Sequence, residues 1–131
     1  MELRSADRQE WAAAPDEHFT GRVWFGPMAE PRQPEDMAVL GVMFEPGART
    51  DWHSHPGGQV LYIVGGNGRV QNAAGDTVAV SAGDTVYAPP GEVHWHGATP
   101  GAPMIHLSIT AGGPTAWEPR KVSDEDYYAA R

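Results

Sequence analysis

The stretch that decides the fold runs Gly47-Ala-Arg-Thr-Asp-Trp-His53-Ser-His55-Pro56-Gly57-Gly58-Gln59-Val-Leu-Tyr-Ile-Val-Gly-Gly66. His53 and His55 stand two residues apart, so in an extended chain both side chains leave the same face. Pro56-Gly57-Gly58 breaks that strand, because proline lacks the N–H and glycine takes dihedrals that other residues avoid. The chain can then return with Gln59 facing the two imidazoles. Two imidazoles and an amide oxygen make most of a metal shell, and Gly91-Glu92-Val93-His94 is the source for a further ligand.

Around this stretch the chain reads as short strands. Thr20 to Phe25 and Met37 to Phe44 are strands separated by a proline-rich loop over 27–34. Arg49 to His55 is the ligand strand, Gln59 to Val64 its partner, and Gly65-Gly66-Asn67-Gly68 a turn. A hairpin across Ala74-Gly75-Asp76, strands at Thr85 to Ala88 and Val93 to Gly97, and an alternating strand from Met104 to Thr110 complete about nine. Many short strands with Gly 16 and Pro 12 imply an all-β sandwich or barrel. Ser123 caps a short last helix, with Asp124, Glu125 and Asp126 at its positive end and Arg131 at the other.

The two histidine segments carry a family resemblance. Gly47-x5-His53-x-His55-x3-Gln59-x6-Gly66 resembles the first cupin motif, and Gly83-x5-Pro89-x-Gly91-x2-His94 the second. Gln59 stands where the motif usually has Glu, and Ala98 where it usually has Asn. The resemblance implies a cupin fold, a double-stranded β-helix or jelly-roll barrel with short terminal segments. Residues 1–18 are then an N-terminal arm and 19–131 a single domain that includes the C-terminal helix. Phe19-Thr20-Gly21, Phe44 to Thr50, His94 to Ala98 and Met104 to Leu107 are further similar to the small manganese-dependent cupin hydroxynitrile lyases.

The expected metal ligands are His53, His55, Gln59 and His94, holding one divalent ion. Three neutral imidazoles and a neutral amide leave that ion its full double charge, which favours Lewis-acid work over redox cycling. Imidazole and oxygen ligands without sulfur fit Mn, Fe, Co, Ni or Zn, and the resemblance implies Mn. His96 shares a face with His94, and His106 lies on the polar face of the last strand. From its face, His96 looks into the barrel as a support for the ligands or a substrate contact, and the resemblance implies that His106 is a general base. Leu40, Val42 and Phe44 form an apolar pocket wall, and Thr110 joins it where the lyases lead one to expect a longer polar side chain. Trp52, Trp95 and Tyr62 alternate off these positions as outer-face or interface residues.

The function implied is cleavage of a cyanohydrin such as mandelonitrile to an aldehyde and HCN. A metal-dependent dioxygenase and a non-catalytic small-molecule-binding cupin with a closed shell are the competing expectations. The formal net charge of −8 argues against nucleic acid and anionic membrane as partners. No cysteine is present, so there is neither a disulfide framework nor a thiolate zinc site. The N-terminus lacks the apolar core of a signal peptide, and a cytoplasmic protein is expected. Exposed sheet edges lead one to expect a homodimer or higher homo-oligomer.

Overall fold

The computed structural model describes residues 1–130, and its regular structure is mostly strand. In chain order the strands are β1 (Ala12–Ala13), β2 (Phe19–Thr20), β3 (Val23–Ala29), β4 (Ala38–Phe44), β5 (Arg49–Thr50) and β6 (His53–Ser54). They continue as β7 (Gln59–Asn72), β8 (Thr77–Ser81), β9 (Thr85–Ala88), β10 (His94–Ala98), β11 (Met104–Thr110) and β12 (Ala116–Trp117), followed by helix α1 (Asp124–Ala129). Two walls result, joined through β7. One wall runs β1-β3-β4-β11-β7-β9, and the other places β8, β10, β5 and β2 beside the far half of β7, with β6 alongside β10 and β12 alongside β6.

The predicted turn at residues 65–68 is instead the middle of β7. Its first half pairs with β9 and β11, and its second half with β8 and β10. The chain changes walls without leaving the ladder because the register shifts at Ile105/His106 and Gly66 takes φ +77°. A side chain at Gly66 would also collide with the backbone of Pro103. Glycine therefore bends this strand where it was expected to end it.

The ligand strand is also discontinuous. Asp51 donates its backbone N–H to His18 O at 2.9 Å, and Trp52 donates to Arg120 O at 3.3 Å. These bonds to the terminal segments split the expected strand from Arg49 to His55 into β5 and β6. The first predicted strand is likewise split at Gly21, and β3 runs through Pro27 to Ala29, into the expected loop.

Between the walls lies a core of Val23, Val42, Phe44, Leu61, Ile63 and Met104 with smaller neighbours. A second cluster packs Trp52 and Trp95 against Val122 and Tyr127 of the C-terminal segment. Those two tryptophans are buried by this segment; Tyr62 stays exposed. Ser123 caps α1 by accepting from Asp126 N at 3.1 Å, as the sequence indicates. Arg131, expected to complete the helix end, lies outside the described residues.

Candidate metal centre

Five of the six histidines converge inside the barrel, all buried. His53 sits on β6 directly opposite His94 on β10, so a ladder pair sets their approach, with ring centroids 4.5 Å apart. His55 follows two residues on, 5.0 Å from the His53 ring. Its backbone carbonyl accepts from Gly58 N and Gly91 N, tying the Pro56 turn to the loop before β10. Gln59 opens β7 and reaches His94, with Oε1 2.9 Å from His94 Nε2. His96 comes from the same face of β10 as His94, and His106 from β11, their rings 4.8 Å apart.

Hydrogen bonds assign the nitrogens. His53 Nδ1 lies 2.9 Å from Asp51 O, and His94 Nδ1 2.9 Å from Glu92 O. A carbonyl only accepts, so each Nδ1 carries the proton and each Nε2 turns a lone pair inward. His94 Nε2 then faces the Gln59 amide oxygen, acceptor against acceptor, at 2.9 Å. Meanwhile Gln59 Nε2 donates to Ser108 Oγ at 2.7 Å, which keeps the oxygen end toward the imidazoles. Nε2 of His55 and of His96 are buried without a hydrogen-bond partner. Buried lone pairs that face one another without donors fit a bound cation.

His53, His94 and His96 bring ligating nitrogens within 4.8 Å of one another. His55 and Gln59 border the same space, so the four expected ligands lie together, with His96 an additional nitrogen donor at the cluster. Among the described residues, no carboxylate joins this cluster. The residues fit a divalent ion.

Every one of the five imidazoles is held neutral by burial. His53 and His96 are pushed well below the usual histidine value by desolvation, with the neighbouring imidazoles adding to it. Burial lowers His55 to about 4 and His106 to about 3, and it lowers His94 as well. His106 Nε2 and His96 Nδ1 form a hydrogen-bonded pair at 3.2 Å.

A cavity of about 70 Å³ opens onto this cluster. Leu40, Val42 and Phe44 line it, as do His53, His55, Gln59, His96 and His106. Thr110 does not; it borders a separate surface groove with Ala38 and Pro114. Phe19, Phe25 and Trp117 complete the lining, and sequence reasoning missed them. Trp117 pairs with His53 through β12 and stacks on His18 at 4.2 Å. A two-residue strand in a Gly/Pro-rich segment offers no periodicity, so Trp117 had no signal of its own. Phe25 was legible as a strand residue, and Phe19 only as part of the family match.

Fold and site together define a small β-barrel protein with a histidine-rich, metal-competent centre. The family model for the cupin domain matches residues 41–110, and the chain belongs to the cupin family. It is 40% identical over 130 residues to (R)-mandelonitrile lyase of Granulicella tundricola, covering 97% of this chain and 98% of that protein. A cupin-like protein from Thermotoga maritima superposes with a TM-score of 0.86 at 38% identity, over 91% of this chain and 92% of the other. A polyketide cyclase from Streptomyces resistomycificus shares the fold, with a TM-score of 0.74 at 18% identity, over 97% of this chain and 90% of that one.

Proposed function

We propose that this protein is a metal-dependent lyase that cleaves a cyanohydrin of the mandelonitrile kind to an aldehyde and HCN. The observation that carries the reading is the neutral His96–His106 pair beside a metal-competent cluster, under an apolar aromatic wall. The 40% identity to a mandelonitrile lyase supports the substrate class.

His53, His55, Gln59 and His94 would hold the ion, with His96 at its border. When bound, a divalent ion supplies Lewis acidity that makes a nearby hydroxyl more acidic. Phe44, Leu40 and Val42, with Phe19, Phe25 and Trp117, take up the apolar part of the substrate and exclude water. His106 accepts the hydroxyl proton at Nε2, the nitrogen that meets His96 Nδ1 when no substrate is there. The O–H electron pair becomes the second bond of the aldehyde C=O. The C–CN bond breaks with its electrons on cyanide, and the imidazolium returns the proton to give HCN. Atoms and charge balance, and no oxidant is consumed. Manganese as the ion and the cytoplasm as the location belong to the same proposal, supported by the resemblance and by composition.

The test is turnover of mandelonitrile by manganese-loaded protein under strict exclusion of oxygen. Benzaldehyde and cyanide released in equal amounts support the reading. Oxygen uptake with no anaerobic turnover points to a dioxygenase and sinks it.

A further inference from the structure

The sixth histidine, His18, stands outside the metal cluster, at the end of a single helical turn ahead of β2. Its ring lies parallel to the indole of Trp117, with centroids 4.2 Å apart and planes 3° apart. Trp117 is itself part of the cavity lining, 4.8 Å from the His53 ring. It also borders a surface groove of about 350 Å³, together with His18, Asp51, Arg120 and Lys121. His18 borders the groove and not the cavity; His53 borders the cavity and not the groove. The indole is therefore a partition one ring thick, and His18 backs it from outside.

The backbone alone does not fix that partition. β12 is two residues long and pairs with β6 alone. The groove supplies the missing restraint. Lys121 Nζ donates to Glu17 O at 2.9 Å and to Phe19 O at 3.3 Å, and it lies 3.2 Å from Asp51 Oδ1. One ammonium thus ties the chain on both sides of His18 to the segment that carries His53. Asp51 in turn donates its N–H to His18 O at 2.9 Å. The Asp51 carboxylate is buried, and Lys121 is its cationic partner, with the His18 ring 3.9 Å from the other oxygen. Phe19, pinned by this clasp, meets Trp117 edge-on at 5.8 Å and Phe25 edge-on at 5.4 Å. With Phe44 these rings make the aromatic part of the cavity.

We propose that His18 and Lys121, though neither lines the cavity, are positioning residues for substrate selection: they hold Trp117 and Phe19 as a fixed aromatic wall that favours a flat, ring-bearing substrate over a ringless one. The inference rests on the cyanohydrin reading of the same site and adds which residues outside it govern binding of the apolar part. A flat ring packed offset or edge-on against other rings gains more than its buried area alone supplies. A wall free to swing forfeits part of that gain, because its rings must be ordered when the substrate binds. A small aliphatic substrate makes little use of the wall. The His96–His106 pair stands on β10 and β11 and makes no hydrogen bond to the clasp, so proton movement on a bound substrate does not depend on it.

Three variants of the metal-loaded full chain test this. His18→Ala removes the stack, His18→Phe restores a ring there without its hydrogen bonds, and Lys121→Met removes the cation while keeping its stem. The first measurement needs no turnover: affinity for benzyl alcohol and for 1-propanol by titration calorimetry. His18→Ala and Lys121→Met should weaken benzyl alcohol binding about three- to tenfold and leave the weaker 1-propanol binding unchanged, with His18→Phe close to wild type. The second is kinetic. KM for mandelonitrile should rise by a similar factor in the same two variants, with kcat, metal content and KM for acetone cyanohydrin retained. If the wild type turns over neither cyanohydrin while the benzyl alcohol affinities shift as stated, the lyase reading fails and the positioning role stands. Unchanged benzyl alcohol affinity in folded His18→Ala and Lys121→Met overturns the proposal. So does an equal loss for the ring-bearing and the ringless compound, or a His18→Phe variant as weak as His18→Ala, since either marks general loosening of the fold. Should Lys121→Met fail to fold, the two His18 variants decide.

Discussion

His106 makes the sharpest distinction between holding the ion and moving a proton. It is fully buried, and its hydrogen bond goes to His96 rather than to the His53–His94 pair. His106→Ala should therefore keep one equivalent of metal while anaerobic turnover falls by about two to four decades, the usual contribution of positioned proton transfer. The substitution also leaves a cavity and strands His96 Nδ1, so a stability loss of roughly 2–4 kcal/mol accompanies it. Loss of metal in the folded variant would instead make His106 part of the ion's support. His53→Ala has the opposite signature: elemental analysis after dialysis should find the metal gone. Gln59→Glu should retain the ion and lose turnover, because a carboxylate lowers the charge of the centre by one unit. Metal content measured beside kcat separates the two effects.

At the scale of elements, β7 and α1 set where the site residues stand. β7 carries Gln59 at one end and pairs with β10 at the other, so its bend at Gly66 positions the amide against His94. Gly66→Ala adds a left-handed strain and a collision with Pro103, and should cost roughly 3–5 kcal/mol by urea unfolding. Helix α1 anchors the outer side of β5 and β10. Arg49 donates to Val122 O at 2.8 Å and pairs with Asp124 at 2.7 Å, while its guanidinium lies 4.5 Å from the Tyr127 ring. Tyr127 OH donates to Ala98 O. Tyr127→Ala should thus cost about 3–5 kcal/mol through lost packing. The exposed cap Ser123→Ala should cost only about 1 kcal/mol. Similar losses for the two variants would contradict α1 as a packed anchor.

For the whole molecule, five buried neutral histidines tie stability to pH. Each has its folded value below the unfolded 6.5, so the unfolded chain binds more protons once pH falls past that point. Their stabilising contribution is complete above about 6.5 and declines as pH falls, down to about 4 for His55 and about 3 for His106. Each can contribute up to about 1.4 kcal/mol per pH unit in that window. Metal-free protein should lose several kcal/mol between pH 7.5 and 5.5 in denaturant titrations. A flat profile would mean that the cluster is open to water.

The all-β class, the strand from Met104 to Thr110 and the closeness of His53 to His55 were legible because they depend on local facts. Alternation fixes faces, His53-x-His55 fixes two directions, and the Gly/Pro segments mark turns. Ser123 followed by three acidic residues is equally local. Tertiary structure decided what depended on partners far along the chain. Residues 65–68 have turn chemistry, yet ladder bonds to β10 and β11 on either side hold them in a strand. Asp51 and Trp52 leave their strand because His18 and Arg120 offer carbonyls. Thr110 borders another groove through three-dimensional placement, which period two alone does not specify. Trp117 reaches the cavity by pairing with a residue 64 positions earlier, and no pattern within its own segment encodes that contact.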